Sequence, residues 1–155
     1  MSHSRIVRAS LPKGAHICSR VSADDFLDGY RVSSPLDART AASVGLDMPV
    51  WAKGLLRLRN MLVGPLGLKT EPEESAKADR FGMFPVRYEN ENEIVLGFDD
   101  KHLDFRITLY RQSSDIIMST WVRPHNWLGR AYLAAVMPFH VLITRDAMRR
   151  IRQAG

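Results

Sequence analysis

The sequence predicts an α+β fold: a curved antiparallel sheet packed against one long C-terminal helix, with two short helices inserted after the first strand. Three observations predict it. Four consecutive segments after Met83 alternate with a period of two, and turn-like residues separate each from the next. Apolar residues at helical spacing occupy 34–64 and return over 126–152. The chain has 155 residues, 45% hydrophobic and 25% charged, which fits one globular domain and excludes collagen-like, disordered and disulfide-scaffold classes.

Each element follows from local chemistry. Residues 1–14 read as an N-terminal arm or short edge strand ending at Lys13-Gly14, and 15–21 as extended chain. Phe26, Leu27, Tyr30 and Val32 are spaced for a strand over 25–32, with Asp28-Gly29 as a turn or bulge within it. Ser34-Pro35-Leu36-Asp37 predicts a helix start, with Ser34 as cap, Pro35 in the first turn and Gly45 as the stop. Asp47-Met48-Pro49 opens a second helix. On it, Trp51, Leu55, Leu58 and Leu62 recur at i, i+4, i+7 and i+11 as one apolar stripe, and Gly64-Pro65 ends it. Residues 69–80 hold many charges and almost no apolar side chains. They read as a solvated connector, with a lid over a ligand site as the alternative.

The meander comes next, with strands over Met83 to Tyr88, Glu93 to Phe98, Leu103 to Arg111 and Ile116 to Arg123. Their short separators force antiparallel neighbours. In the third strand Leu103, Phe105, Ile107 and Leu109 share one face. In the fourth, Ile116, Met118, Thr120 and Val122 oppose Ile117, Ser119, Trp121 and Arg123. Over 126–152, Phe139, Leu142, Ile143, Ala147 and Ile151 form a helical stripe, and Pro138 predicts a kink or a fresh start.

Charge and cysteine content narrow the function. The net charge of +5 is concentrated at the ends: Arg5, Arg8, Lys13 and Arg20 precede the first acid, and Arg145, Arg149, Arg150 and Arg152 stand against Asp146 alone. A nucleic-acid domain carries a basic stripe with interleaved aromatics, so no nucleic-acid partner is expected. Cys18 is the only cysteine, which excludes an intramolecular disulfide and a cysteine-based zinc site. The longest apolar run lies around Tyr132 to Val136 and is far shorter than the roughly 18 residues a membrane span needs, and the first eleven residues lack a secretory core. A cytoplasmic protein without a membrane span is the expectation.

Several runs of residues resemble one family. Asp24-Asp25-Phe26-Leu27-Asp28-Gly29-Tyr30, Pro49-Val50-Trp51 with Leu58-Arg59-Asn60, Gly97 through Arg106, and Gly129-Arg130-Ala131-Tyr132 with Pro138-Phe139-His140 stand in the order found in the bacterial family called domain of unknown function 2867. The likeness runs from about residue 20 to 152. It implies a branch of the START-like, helix-grip superfamily (SRPBCC), whose members hold lipids, polyketides or other apolar ligands in a deep cavity. On that resemblance, 1–155 is a single START-like domain.

The expected function is binding of an apolar or amphipathic small molecule in a cavity between sheet and C-terminal helix. The alternatives are a cyclase- or hydrolase-like enzyme using a His/carboxylate pair, and an interaction module with a homodimer through an uncovered sheet face. Candidate ligand-binding residues are Trp51, Arg59, His102, Asp104, Arg106, Arg130, Tyr132 and His140. Ordinary readings compete with each. Trp51 fits a core stripe; His102, Asp104 and Arg106 fit a tight turn and a salt-bridged strand; Arg130 fits a surface pairing; His140 fits an interior hydrogen-bonder. No second His stands at ligand spacing, and no phosphate loop or nucleophile elbow is present, so neither metal nor cofactor is expected and no catalytic residue is assigned.

Overall fold

Alternating apolar side chains from Phe84 to Val122 zip into long ladders, and the rest of the chain is arranged around them. The computed structural model describes residues 5–47, 80–81, 84–99 and 101–155. Within them the strands are β1 (Val7–Arg8), β2 (Phe26–Ser33), β3 (Arg80–Phe81), β4 (Phe84–Glu89), β5 (Glu93–Asp99), β6 (Leu103–Gln112) and β7 (Asp115–Pro124). Helices are α1 (Ala38–Gly45) and α2 (Trp127–Ala154). The sheet runs β1-β2-β7-β6-β5-β4-β3, with every neighbouring pair antiparallel. The α+β architecture is therefore the predicted one, a curved open sheet with a long C-terminal helix. The expected second short helix and the 69–79 connector lie outside the described residues.

Two irregularities bend the sheet. Gly97 adopts φ 144°, a conformation open to glycine, and a Cβ there would lie 2.0 Å from the carbonyl oxygen of Phe105. Beside it, opposite Val95 and Leu96, the β4–β5 register shifts between Val86 and Tyr88, and such an extra residue increases strand bend and twist.

The core of the inner face is built where α1 and the last turns of α2 meet. Ala41, Ala42, Met148 and Ile151 are fully buried with Val32, Ile94, Leu96, Leu109 and Ile116. Burying Met148 or Ile151 contributes about 1.5–3 kcal/mol each. Arg150 donates to the carbonyls of Val44 and Gly45, closing the C-terminal end of α1, and also pairs with Asp146. Ser34 is buried and donates to the Ile151 carbonyl, which ties the two helices to the strand exit.

The outer face is covered by the chain entering β2. Ile17, Val95 and Trp121 form a second buried cluster with Leu11, Val21 and Tyr88 against it. His16 stacks on Tyr88 at 3.8 Å, and its backbone N–H donates to both carboxylate oxygens of Glu93 at 2.9 and 3.1 Å.

Five expectations need correction. Residues His16–Ser19 form a 3-10 turn, not extended chain, because Cys18 and Arg20 bond back to Ala15 and Ile17. Strand β2 runs unbroken through Asp28-Gly29, where a Cβ on Gly29 would meet the Ala9 carbonyl at 2.5 Å. The cap of α1 is Asp37, which accepts from the Thr40 N–H at 2.7 Å, so Ser34 and Pro35 lie outside the helix. No new helix begins at Pro138: α2 is continuous across it, with both Pro138 and Ala134, whose carbonyl loses its donor, facing solvent. The buried stripe of α2 is Thr144, Ala147, Met148 and Ile151, while Phe139 and Leu142 are exposed. At 28 residues α2 is also long and apolar enough, by length and composition alone, to cross a membrane, a property the short apolar runs did not suggest; in the fold its last turns are locked into the core.

Candidate functional site

Sheet register places one polar row among apolar ones on the inner face. Asp28 pairs with Thr120, Thr120 with Ile107, Ile107 with Leu96, and Leu96 with Val86. The next row is Phe26, Val122, Phe105 and Phe98, and the row on the other side is Tyr30, Met118, Leu109 and Ile94. Phe84 and Phe98 lie against Phe105 with ring centroids 5.5 and 5.7 Å away, so an aromatic floor adjoins the polar row.

Helix α2 brings His140 onto that row. Its Nε2 lies 3.0 Å from Asp28 Oδ2, and the ring meets Phe26 edge-on at 5.9 Å. The Asp28 side chain is 10% exposed and that of His140 19%. Asp28 Oδ1 and Thr120 Oγ1 are buried with no hydrogen-bond partner among the described residues. An unsatisfied buried polar atom costs about 1–3 kcal/mol, more when it carries charge, so this arrangement holds unused hydrogen-bonding capacity under the helix. Chemically, an imidazole–carboxylate pair at this distance can anchor a polar group or move a proton.

The other predicted residues are placed elsewhere. His102 sits at the β5–β6 turn, with Nδ1 2.9 Å from Asn126 Nδ2, and Asn126 caps α2 by accepting from the Gly129 N–H at 3.0 Å. Asp104 meets His125 Nε2 at 2.9 Å. Together these form the joint between the sheet and the start of α2. Arg106 projects to the outer face, opposite to His140, and pairs with Asp99 at 2.9 Å. Arg130 is exposed on the first turn of α2, and Tyr132 is half-buried one turn on. Trp51 and Arg59 lie outside the described residues. The grouping of Arg106, Arg130, Tyr132 and His140 around one cavity therefore loses Arg106, because strand parity turns it away.

Sequence reasoning missed Asp28 and Thr120. A signal was present: with β2 unbroken, Asp28 is the one acid alternating with Phe26, Tyr30 and Val32 on an apolar face. Reading Asp28-Gly29 as a break removed it from that face.

The outer face has its own ionic cluster. Asp25 accepts from Arg123 Nε at 2.9 Å and Arg123 Nη2 at 2.8 Å, and from Trp121 Nε1 and the Ser22 N–H at 2.8 Å each. The Arg123 hydrogen bonds outweigh burial and, with the other donors, hold the Asp25 carboxyl well below the usual carboxylate range. Asp25 in turn raises Arg123. Arg20 and Arg123 lie over the Trp121 ring at 5.4 and 5.2 Å. Burial works against ionisation of Asp99, but the hydrogen bond and charge of Arg106 win and lower it. Burial raises Glu93, and the His16 N–H offsets only part of that. Among the described residues, no group of three or more His, Cys, Asp or Glu is arranged to hold a metal ion.

A curved antiparallel sheet carrying a long helix across its inner face, with a polar pair beneath that helix, defines a helix-grip-like α+β domain. The chain belongs to the family described as "Protein of unknown function (DUF2867)", whose match covers residues 21–147 and so includes Asp28, Thr120 and His140. Neither a curated protein nor a solved structure matches it.

Proposed function

We propose that the domain binds an apolar or amphipathic small molecule between the inner face of the sheet and the first half of α2. The observation that carries this reading is the polar row: two buried oxygens, Asp28 Oδ1 and Thr120 Oγ1, without partners among the described residues and flanked by rows of aromatic, aliphatic and methionine side chains. Native interiors leave few such groups unpaired, and ligand sites combine an apolar lining with a few convergent polar atoms. Kinship with the START-like, SRPBCC proteins accords with the same element order and with a ligand in this place.

A second reading, an acid–base enzyme of cyclase or hydrolase type, is favoured by the 3.0 Å contact of His140 with Asp28. Native mass spectrometry of the freshly purified chain tests the binding role. A bound species of small-molecule mass, displaced by the apolar dye N-phenyl-1-naphthylamine, is the expected result. A bare chain that also leaves the dye's fluorescence unchanged refutes it. A bound species recovered with altered mass after incubation marks turnover instead of simple carriage.

A further inference from the structure

Resting on that reading, the geometry points to a ligand whose polar end is a hydrogen-bond donor, a hydroxyl or an ammonium group, and not an anion. Asp28 Oδ1 is an acceptor when the group is a carboxylate, and the side chain that carries it is nine-tenths buried. Its sister oxygen is taken by His140. Thr120, directly across the ladder, has a hydroxyl that can donate or accept, and it reaches neither Asp28 nor any other described partner. An O–H or N–H group set between them would satisfy the Asp28 oxygen, and a hydroxyl would take the Thr120 hydrogen as well.

Charge on the same face sets the sign of the selection. The inner face of the described strands carries two basic side chains, Arg8 and Arg111. Arg8, exposed on the edge strand β1 and paired in register with Tyr30, lies over that ring at 6.0 Å. Arg111 lies two ladder rows beyond Ile107 and donates to the carbonyls of Pro35 and Leu36. Arg106 and Arg123 project to the opposite side, where Asp99 and Asp25 hold them. Among the described residues, a carboxylate or phosphate end would therefore meet the Asp28 oxygen with the inner-face arginines engaged elsewhere, Arg8 over the Tyr30 ring and Arg111 on the Pro35 and Leu36 carbonyls, in surroundings that weaken screening. The apolar body of the ligand would lie on the floor of Phe84, Phe98 and Phe105.

Titrating the whole protein at pH 7 with octan-1-ol, octylamine and octanoate by isothermal calorimetry separates the possibilities. The alcohol, the amine or both should bind at least tenfold more tightly than octanoate, and which of them leads identifies the donor. The isosteric T120V should weaken octan-1-ol about fivefold and leave octanoate unchanged, and D28N should reduce octylamine binding about tenfold. Octanoate binding as tightly as the better donor overturns the donor assignment while leaving the binding role intact. If none of the three binds, both fall. Unchanged octan-1-ol and octylamine affinities in T120V and D28N, each checked for a native-like spectrum, place the donor elsewhere and overturn the assignment.

Discussion

Asp25 and Asp28 stand three residues apart, and the odd spacing sends them to opposite faces of the sheet. Asp25, under the entering chain on the outer face, accepts four hydrogen bonds from Arg123, Trp121 and Ser22. Asp28, beneath α2, makes one contact with His140 and leaves an oxygen unused. Both side chains are at least nine-tenths buried, so burial does not distinguish them. Saturation does. A carboxylate with both oxygens engaged is a structural tie, and one with an oxygen left over is where a ligand would gain most by arriving.

The largest expected effect breaks the saturated side. D25A removes the acceptor shared by Arg123 and Trp121 and leaves the indole N–H buried without it, so it should cost about 3 kcal/mol in urea unfolding. D28N keeps an acceptor for His140 and should cost about 1 kcal/mol or less. Equal losses would erase the contrast between the two sites.

Acid titration sharpens the same contrast. Asp25 is lowered from an ordinary value of 3.8, so its contribution is complete above that pH and is lost as pH falls below it. Glu93 has the opposite sign. Raised above 4.5, it costs stability progressively as pH rises past that value. E93Q should therefore match the parent near pH 4 and exceed it by about 1 kcal/mol at pH 7, while D25N should flatten the acid limb of the stability curve. Thermal unfolding across pH 2.5–8 (a range chosen to bracket both ordinary values, about 4 for carboxyls) reads both.

The smallest effect belongs to the hydroxyls of Thr108 and Ser119, also without partners among the described residues, which face each other in the β6–β7 ladder on the outer face. Both side chains are sealed under the entering chain, unlike the row of Asp28, which has His140 partly open to solvent. The double variant T108V/S119A should be neutral or stabilising by up to about 1 kcal/mol and should leave ligand binding unchanged. A loss of binding would move the site to the other face.

Particular residues show how far the sequence could be read. The meander strands were legible to within a residue or so, because a strand's alternation is a local property and Leu103 through Leu109 declares it in full. The cap at Asp37 was harder: Ser34, Pro35 and Asp37 all suit a helix start, and Ser34 is instead drawn to the Ile151 carbonyl, 117 residues away. His140 was recognisable as a polar residue on an apolar helix, but its partner lies 112 residues earlier on a strand misread as broken.

Alternation and helical spacing were enough to settle which side chains face together and in what order the elements come, since both depend on neighbours a few bonds away. Which acid meets which base, and whether every buried oxygen finds a donor, depended on how α2 crosses the curved ladder. That crossing is set by Met148 and Ile151 packing against α1, and no local pattern encodes the angle at which distant surfaces fit.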